Sequence, residues 1–208
     1  MLIPLIDLKN KYNLNIKGVI HIGAYNAEEY PAYMECGVKN VIWIEALGSL
    51  SHKLKMRFKD NKTQKVINAI ISDKEEDAQF IITNNEASSS LLELGTHLQH
   101  HPRVWEDHRE LVFTITMDEV ILQNPINMNG YNFLNIDIQG AELKALKGIK
   151  DNLKHIDYLY LEVNEEEVYK DCCLVGDLDD YLTDFKRVET EMTKYNWGDA
   201  LYIHKTLL

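Results

Sequence analysis

Cysteine, basic charge and long apolar runs are all scarce in this chain. Its three cysteines, Cys36, Cys172 and Cys173, form no C-x-x-C pair, are odd in number and include two neighbours, which rarely bridge each other. They read as reduced structural thiols rather than as a disulfide framework. Lys and Arg number 22 against 33 Asp and Glu, a net charge of −11, and no basic stripe breaks the imbalance. An extended phosphate backbone would lack its main electrostatic attraction, so nucleic acid is not an expected partner. No window approaches 18 uninterrupted apolar residues, and the opening "MLIPLIDLKNKYNLN" has neither the basic segment nor the apolar stretch of a signal peptide. The expectation is a cytoplasmic protein without a membrane partner. Repeats, low-complexity tracts and linkers are also missing. What remains is one domain over residues 1–208, whose 45% hydrophobic content suffices for a full core.

Short β-rich runs alternate with helical patterns. "VIHIGA" is followed by a helix over about Glu28 to Cys36, "NVIWIEA" by one over about Ser49 to Lys59, and then comes "KVINAII". The second half repeats the alternation with "YNFLNIDI", a helix from Gly140 to about Ile149 and "IDYLYLEV". A helix near Asp177 to Asp184 precedes "FKRVETEMT" and "DALYIHK", which read as an antiparallel hairpin at one sheet edge. The strands are apolar on both faces, as a central parallel sheet covered by helices requires. The fold class is therefore α/β: a seven-stranded, mostly parallel Rossmann-like sheet with an antiparallel edge hairpin. Residues 79–117 stand apart as a flap or insertion, with expected strands "QFIIT" and "LVFTITM" around a polar stretch.

In such a sheet a ligand binds outside the carboxyl ends of the strands, where strand order reverses. In "GVIHIGAYNAEEY", Gly23 and Ala24 allow a sharp turn and close approach to a ligand, and the next helix would offer free N–H groups to an anionic group. Glu45 ends the second strand about 20 residues further on, where an acid accepts hydrogen bonds from both hydroxyls of a ribose. Together these features describe a nucleoside-type cofactor. A dinucleotide would require G-x-G-x-x-G, and here "GAYNAE" keeps only the first glycine, with Tyr25 and Asn26 crowding a pyrophosphate. S-adenosylmethionine carries no phosphate and needs only the turn, a carboxylate-binding end and the ribose acceptor.

The residues at this point resemble the FkbM-like methyltransferases, which have the Rossmann-like fold of S-adenosylmethionine-dependent enzymes. The likeness runs from Gly18 to Lys205 through "HIGAYNAEEY", "VIWIEA", "INAIISD", "SSSLL", "FLNIDIQGAELKALKG", "LEVNEEEVYKD" and "WGDALYI". "DIQGAELKALKG" is the most specific of these; Ala27, Tyr25 and "EALGS" depart from the family's usual residues. The resemblance implies S-adenosylmethionine as cofactor, held by His21, Gly23, Ala24, Tyr25, Glu45, Ala46, Ser72 and Asp137. It also implies O-methylation of a hydroxyl on a sugar, glycan or related small molecule, with Ser89, Ser90, His101, Gln139, Asn164 and Trp197 toward that acceptor. Fusion to, or cooperation with, a glycosyltransferase would fit this role. Asp137 and Glu162, at the ends of adjacent central strands, are rival general bases, with Asp137 also orienting cofactor and acceptor. Glu142 is expected in the first turn of the following helix, where the dipole favours a carboxylate.

Several residues keep two readings. Ser88 to Ser90 either hold a ligand through their hydroxyls or form a polar loop. His97 and His101 share a helix face at i and i+4 and invite a metal, but no third ligand is evident, and a solvated flap without metal is the expectation. Trp197 either stacks on an acceptor ring or packs in the core. At the level of function, a dinucleotide-dependent oxidoreductase and a non-catalytic S-adenosylmethionine-binding module compete with the methyltransferase.

Overall fold

The computed structural model describes residues 1–208. After α1 (Leu5–Tyr12) the chain alternates strand and helix: β1 (Gly18–Ile22), α2 (Tyr30–Glu35), β2 (Asn40–Glu45), α3 (Gly48–Arg57) and β3 (Gln64–Asn68). A two-stranded excursion follows, β4 (Glu76–Thr83) and β5 (Glu106–Thr114), with the single turn α4 (His97–His100) between them. The second half comprises α5 (Met117–Gln123), β6 (Phe133–Ile136), α6 (Glu142–Gly148) and β7 (Tyr158–Asn164). It ends with α7 (Val175–Tyr181), β8 (Phe185–Met192) and β9 (Trp197–His204).

Seven strands form one sheet in the order β3-β2-β1-β6-β7-β9-β8. β9 runs antiparallel to both neighbours and every other pairing is parallel. The chain builds outward from β1 to β3, then returns to the other side of β1 with β6, so the carboxyl ends of β1 and β6 frame the crevice where ligands bind in such sheets. Side chains alternate across each strand. Ile20, Ile22, Ile44, Ile136 and Leu161 face one layer, against Val120 of α5, Leu146 of α6 and Leu178 of α7. Val19, Trp43, Phe133 and Tyr160 face the other, against Leu5 and Leu8 of α1, Tyr33 of α2 and Leu54 of α3. Both faces are buried, which is why the strands read as unbroken apolar runs.

Three local features depart from expectation. α1 and α5 have no counterpart in the sequence pattern: α1 buries only Leu5 and Leu8, and α5 is a short helix whose start is fixed by the Thr116 hydroxyl accepting the Glu119 N–H at 3.2 Å. β5 begins at Glu106, within the stretch read as polar loop, because this ribbon stands off the main sheet and leaves most of the strand exposed. α2 begins only at Tyr30, since Tyr25 at φ +43° and Ala27 at φ +51° hold the preceding segment out of helix. Beyond the ribbon, the flap crosses the carboxyl edge of the sheet. There the N–H groups of Gly95 and His97 bond to the Val168 carbonyl, and that of Thr96 to the Glu167 carbonyl. No helix is long and apolar enough to cross a membrane.

Candidate functional site

Two clefts open side by side at the carboxyl ends of β1, β2 and β6. The first spans about 590 Å³ counted out to its open mouth and joins Tyr25, Glu45 and Ala46 to an apolar wall that includes Ile71, Phe80, Leu91, Ile138 and Ala141. The second, about 1050 Å³, is lined by Ala24, Glu28, Glu29, His97, His101, Glu162, Tyr169 and Trp197 among others. Gly23, Tyr25, Ala87, Asp137 and Gln139 belong to both clefts. Asp137 and Gln139 therefore stand where a molecule in one cleft would meet a molecule in the other.

Glu45 is buried at the end of β2, and its two oxygens are already oriented. Oε2 accepts the Tyr25 N–H at 2.7 Å and Oε1 the Leu47 N–H at 2.8 Å. Burial pushes its carboxyl up and these backbone bonds pull it back. Each oxygen keeps a further lone pair for a ligand hydroxyl, the donor pattern of a vicinal diol. Gly23 has φ +90°, and a Cβ there would lie 1.7 Å from the Asp137 carbonyl oxygen. The glycine is thus demanded by the approach of the β6 loop to the β1 loop, and not only by a ligand. The expected anion site at the next helix start does not form, because an irregular segment separates Gly23 from Tyr30.

At the junction, Gln139 sits at φ +60° with its side-chain amide and its carbonyl engaged. Its Nε2 donates to Asp137 Oδ1 at 2.7 Å and to Glu162 Oε2 at 2.8 Å, and its Oε1 accepts the Tyr169 hydroxyl at 2.6 Å. Its carbonyl accepts the Ser90 hydroxyl at 2.8 Å. Glu162 is buried, and its carboxyl is held well above the usual range, first by burial and then by the charges of Asp137 and Glu142. Glu142 does occupy the first turn of α6, fully buried. Its Oε1 accepts the N–H groups of Ile138 at 3.0 Å and Gly140 at 3.1 Å, while Oε2 has no partner. Burial raises its carboxyl to about 7.

Of the expected cofactor set, Gly23, Tyr25, Glu45, Ala46 and Asp137 line the first cleft and Ala24 the second. His21 and Ser72 line neither. His21 points into the α1–α3 layer, with Nδ1 at 3.0 Å from the Tyr33 hydroxyl, and the buried Ser72 hydroxyl donates to Asp73 Oδ1 at 3.1 Å. Of the expected acceptor set, Ser89 and Gln139 line the first cleft, and Gln139, His101 and Trp197 the second. Ser90 is consumed in holding Gln139 and in accepting the Leu92 N–H at 3.0 Å, and Asn164 is fully buried and lines neither cleft. Phe80, Leu91, Glu28, Glu29 and Tyr169 line the clefts without having been singled out by the sequence pattern. Tyr169 falls within "LEVNEEEVYKD", but nothing in spacing marks a tyrosine that folds back from beyond β7. No group of three or more His, Cys, Asp or Glu side chains is arranged to hold a metal ion.

A doubly wound sheet with one antiparallel strand, a buried acid at the end of β2 and a second cleft meeting the first at Asp137 and Gln139 define a Rossmann-like α/β domain of the methyltransferase type. The family described as the methyltransferase FkbM domain matches residues 21–196, and the chain belongs to that family. Its fold is similar to that of Streptococcus pneumoniae Sp1610, a candidate tRNA (m1A22) methyltransferase solved in complex with S-adenosyl-L-methionine. The two share 13% identity over 98% of this chain and 73% of that one, with a TM-score of 0.53. It is also similar to a protein of the NADB-Rossmann superfamily from Streptococcus agalactiae, at 15% identity over 95% and 67% of the two chains and a TM-score of 0.51. Aeropyrum pernix fibrillarin, solved with natively bound S-adenosyl-L-methionine, aligns at 10% identity over 89% of this chain and 65% of that one, with a TM-score of 0.50. At these identities the likeness establishes the fold. No curated protein matches the chain significantly in sequence.

Proposed function

We propose that this methyltransferase uses S-adenosylmethionine to methylate a hydroxyl oxygen of a sugar, glycan or related small molecule. The observation that carries the proposal is the Asp137–Gln139–Glu162 bridge at the junction of the two clefts. The first cleft suits the cofactor in its chemistry: its apolar wall suits a flat base, and Glu45 is oriented for a diol. Tyr25 and Asn26 stand where a dinucleotide site would have bare backbone, which disfavours a pyrophosphate. When bound, S-adenosylmethionine supplies a methyl carbon already activated by a neighbouring sulfonium.

The protein's share is to hold the acceptor in line, exclude water and take one proton. Asp137 touches both clefts and orients the two molecules, while Glu162 lines only the second cleft and is the general base. Its carboxyl, held above the ordinary range by burial and by the charges of Asp137 and Glu142, would accept the proton of the acceptor hydroxyl. Gln139 fixes the distance between the two carboxylates and is itself locked by Tyr169 and Ser90.

Glu45→Ala tests the cofactor assignment. Loss of its charge-assisted hydrogen bonds is expected to weaken S-adenosylhomocysteine binding by about 1.5 to 3 kcal/mol, measured by calorimetry. Unchanged affinity would remove Glu45 from the site.

A further inference from the structure

Tyr169 is clamped from two sides against the bridge between the two carboxylates. The residue is 1% exposed, and its ring lies against that of His97, with ring centres 5.4 Å apart. Its backbone is sewn into the flap: Tyr169 and Leu94 form an antiparallel bridge, the Lys170 N–H donates to the Glu93 carbonyl at 2.8 Å, and the Gly95 N–H donates to the Val168 carbonyl at 2.9 Å. On the other side stands Gly140, at φ +97°, where a Cβ would lie 3.1 Å from the Cβ of Tyr169 and 2.8 Å from that of Cys172. The ring is thus held in one place, and its hydroxyl has one proton for two acceptors, Gln139 Oε1 at 2.6 Å and the Ser88 carbonyl at 3.3 Å. The shorter bond takes it. Burial and the charges of Glu162 and Asp137 hold the phenol proton well above its ordinary range, so the hydroxyl remains a donor wherever a carboxyl titrates.

That donor decides which way the Gln139 amide faces. With Oε1 on the phenol, Nε2 presents its two protons to Asp137 Oδ1 and Glu162 Oε2. Turned over, the amide would set its oxygen against two carboxylates, an arrangement stable only when one of them is protonated and donates. The phenol also polarises the amide and strengthens the bonds its N–H groups make. Hydrogen bonds to a carboxylate favour its charged form. Here they oppose three acids that crowd Glu162: Asp137 after β6, Glu142 of α6 and Asp199, its partner on β9. Glu28, Glu29, His97 and His101 line the same cleft, and no Lys or Arg does, so a neutral amide supplies the opposing donor.

We propose that Tyr169 is a positioning residue for the proton transfer: its hydroxyl fixes the orientation of the Gln139 amide and so keeps the Glu162 carboxylate free to take a proton. The proposal rests on the base role given to Glu162 above, but the orientation itself is readable without turnover.

The test is an NMR titration of isotope-labelled glutamate carboxyls in the full chain saturated with S-adenosylhomocysteine, the Glu162 signal being the one that Glu162→Gln removes. Tyr169→Phe keeps the ring and loses the hydroxyl. It is expected to bind S-adenosylhomocysteine as the wild type does, since Tyr169 lines only the second cleft, and to raise the Glu162 midpoint by about 0.5 to 1 pH unit, the worth of one hydrogen bond. Gln139→Met removes the amide and should raise the midpoint at least as far, and adding Tyr169→Phe to Gln139→Met should raise it no further. A tyrosine that serves packing alone would leave the midpoint where it is. An unmoved or lowered midpoint in either single variant, or a second equal rise in the double variant, overturns the proposal. The base role of Glu162 fails separately, if turnover survives Glu162→Gln.

Discussion

Glu162→Gln is expected to lower kcat about 10²–10⁴-fold while S-adenosylhomocysteine binds with wild-type affinity, because the variant keeps the shape of the second cleft and loses only the proton acceptor. Two further readouts separate a base from a merely structural carboxylate. Since burial and the Asp137 and Glu142 charges hold the Glu162 carboxyl well above its ordinary value, wild-type turnover rises with pH as that group ionises. Asp137→Asn removes one of those charges, so the rising limb of the pH profile moves to lower pH. Because Asp137 lines both clefts, that variant also loses cofactor affinity and alignment, and its kcat falls too. If Glu162→Gln keeps its turnover while Asp137→Asn loses it with an unshifted profile, Asp137 is the base. If both variants turn over and a chelator stops methylation, a metal held by the flap histidines replaces both carboxylates in the mechanism.

The sheet was legible because its strands are buried on both faces, so "GVIHI", "NVIWIE" and "YLYLEV" carry their assignment in composition alone. The place of Glu45 on the cleft wall was legible because the end of β2 is fixed by the same pattern. What escaped depends on contacts between segments far apart in the chain. His21 was read toward the cofactor from its place in "HIGAYNAEEY", yet strand alternation turns it into the α1–α3 layer against Tyr33 and Asn135. Gln139 holds a left-handed conformation that composition assigns to glycine or asparagine, so its role as the bridge between two carboxylates had no local signal. Ser90 and Ser89 are neighbours with different fates, one spent on the Gln139 carbonyl and one on the cleft wall, and only the path of the flap separates them. Glu142 looked like an ordinary first-turn acid. Its complete burial follows from the loop before α6 folding its N–H groups onto that side chain.

That burial gives Glu142 the second large predicted effect, on stability rather than turnover. A carboxyl raised from 4.5 to about 7 in the folded protein binds its proton more tightly than in the unfolded chain. Its stabilising contribution is complete below pH 4.5, declines as pH rises and is lost once pH passes about 7. A tenfold difference in proton affinity between the two states corresponds to about 1.4 kcal/mol, so the loss across that window is about 3 kcal/mol. Glu162 acts in the same direction, so the whole protein should be measurably less stable to urea at pH 8 than at pH 5. Glu142→Gln isolates the share of Glu142. The amide oxygen can still accept the Ile138 and Gly140 N–H groups, and the amide nitrogen takes the place of Oε2, which has no partner to lose. The variant therefore resembles the protonated wild type at every pH. Its unfolding free energy is expected to match wild type near pH 4, to pull ahead as pH rises, and to exceed it by up to about 3 kcal/mol at pH 8. A difference between the two proteins that does not change with pH, or a variant less stable at pH 8, would show that Glu142 is ionised throughout and that its unpaired oxygen meets water.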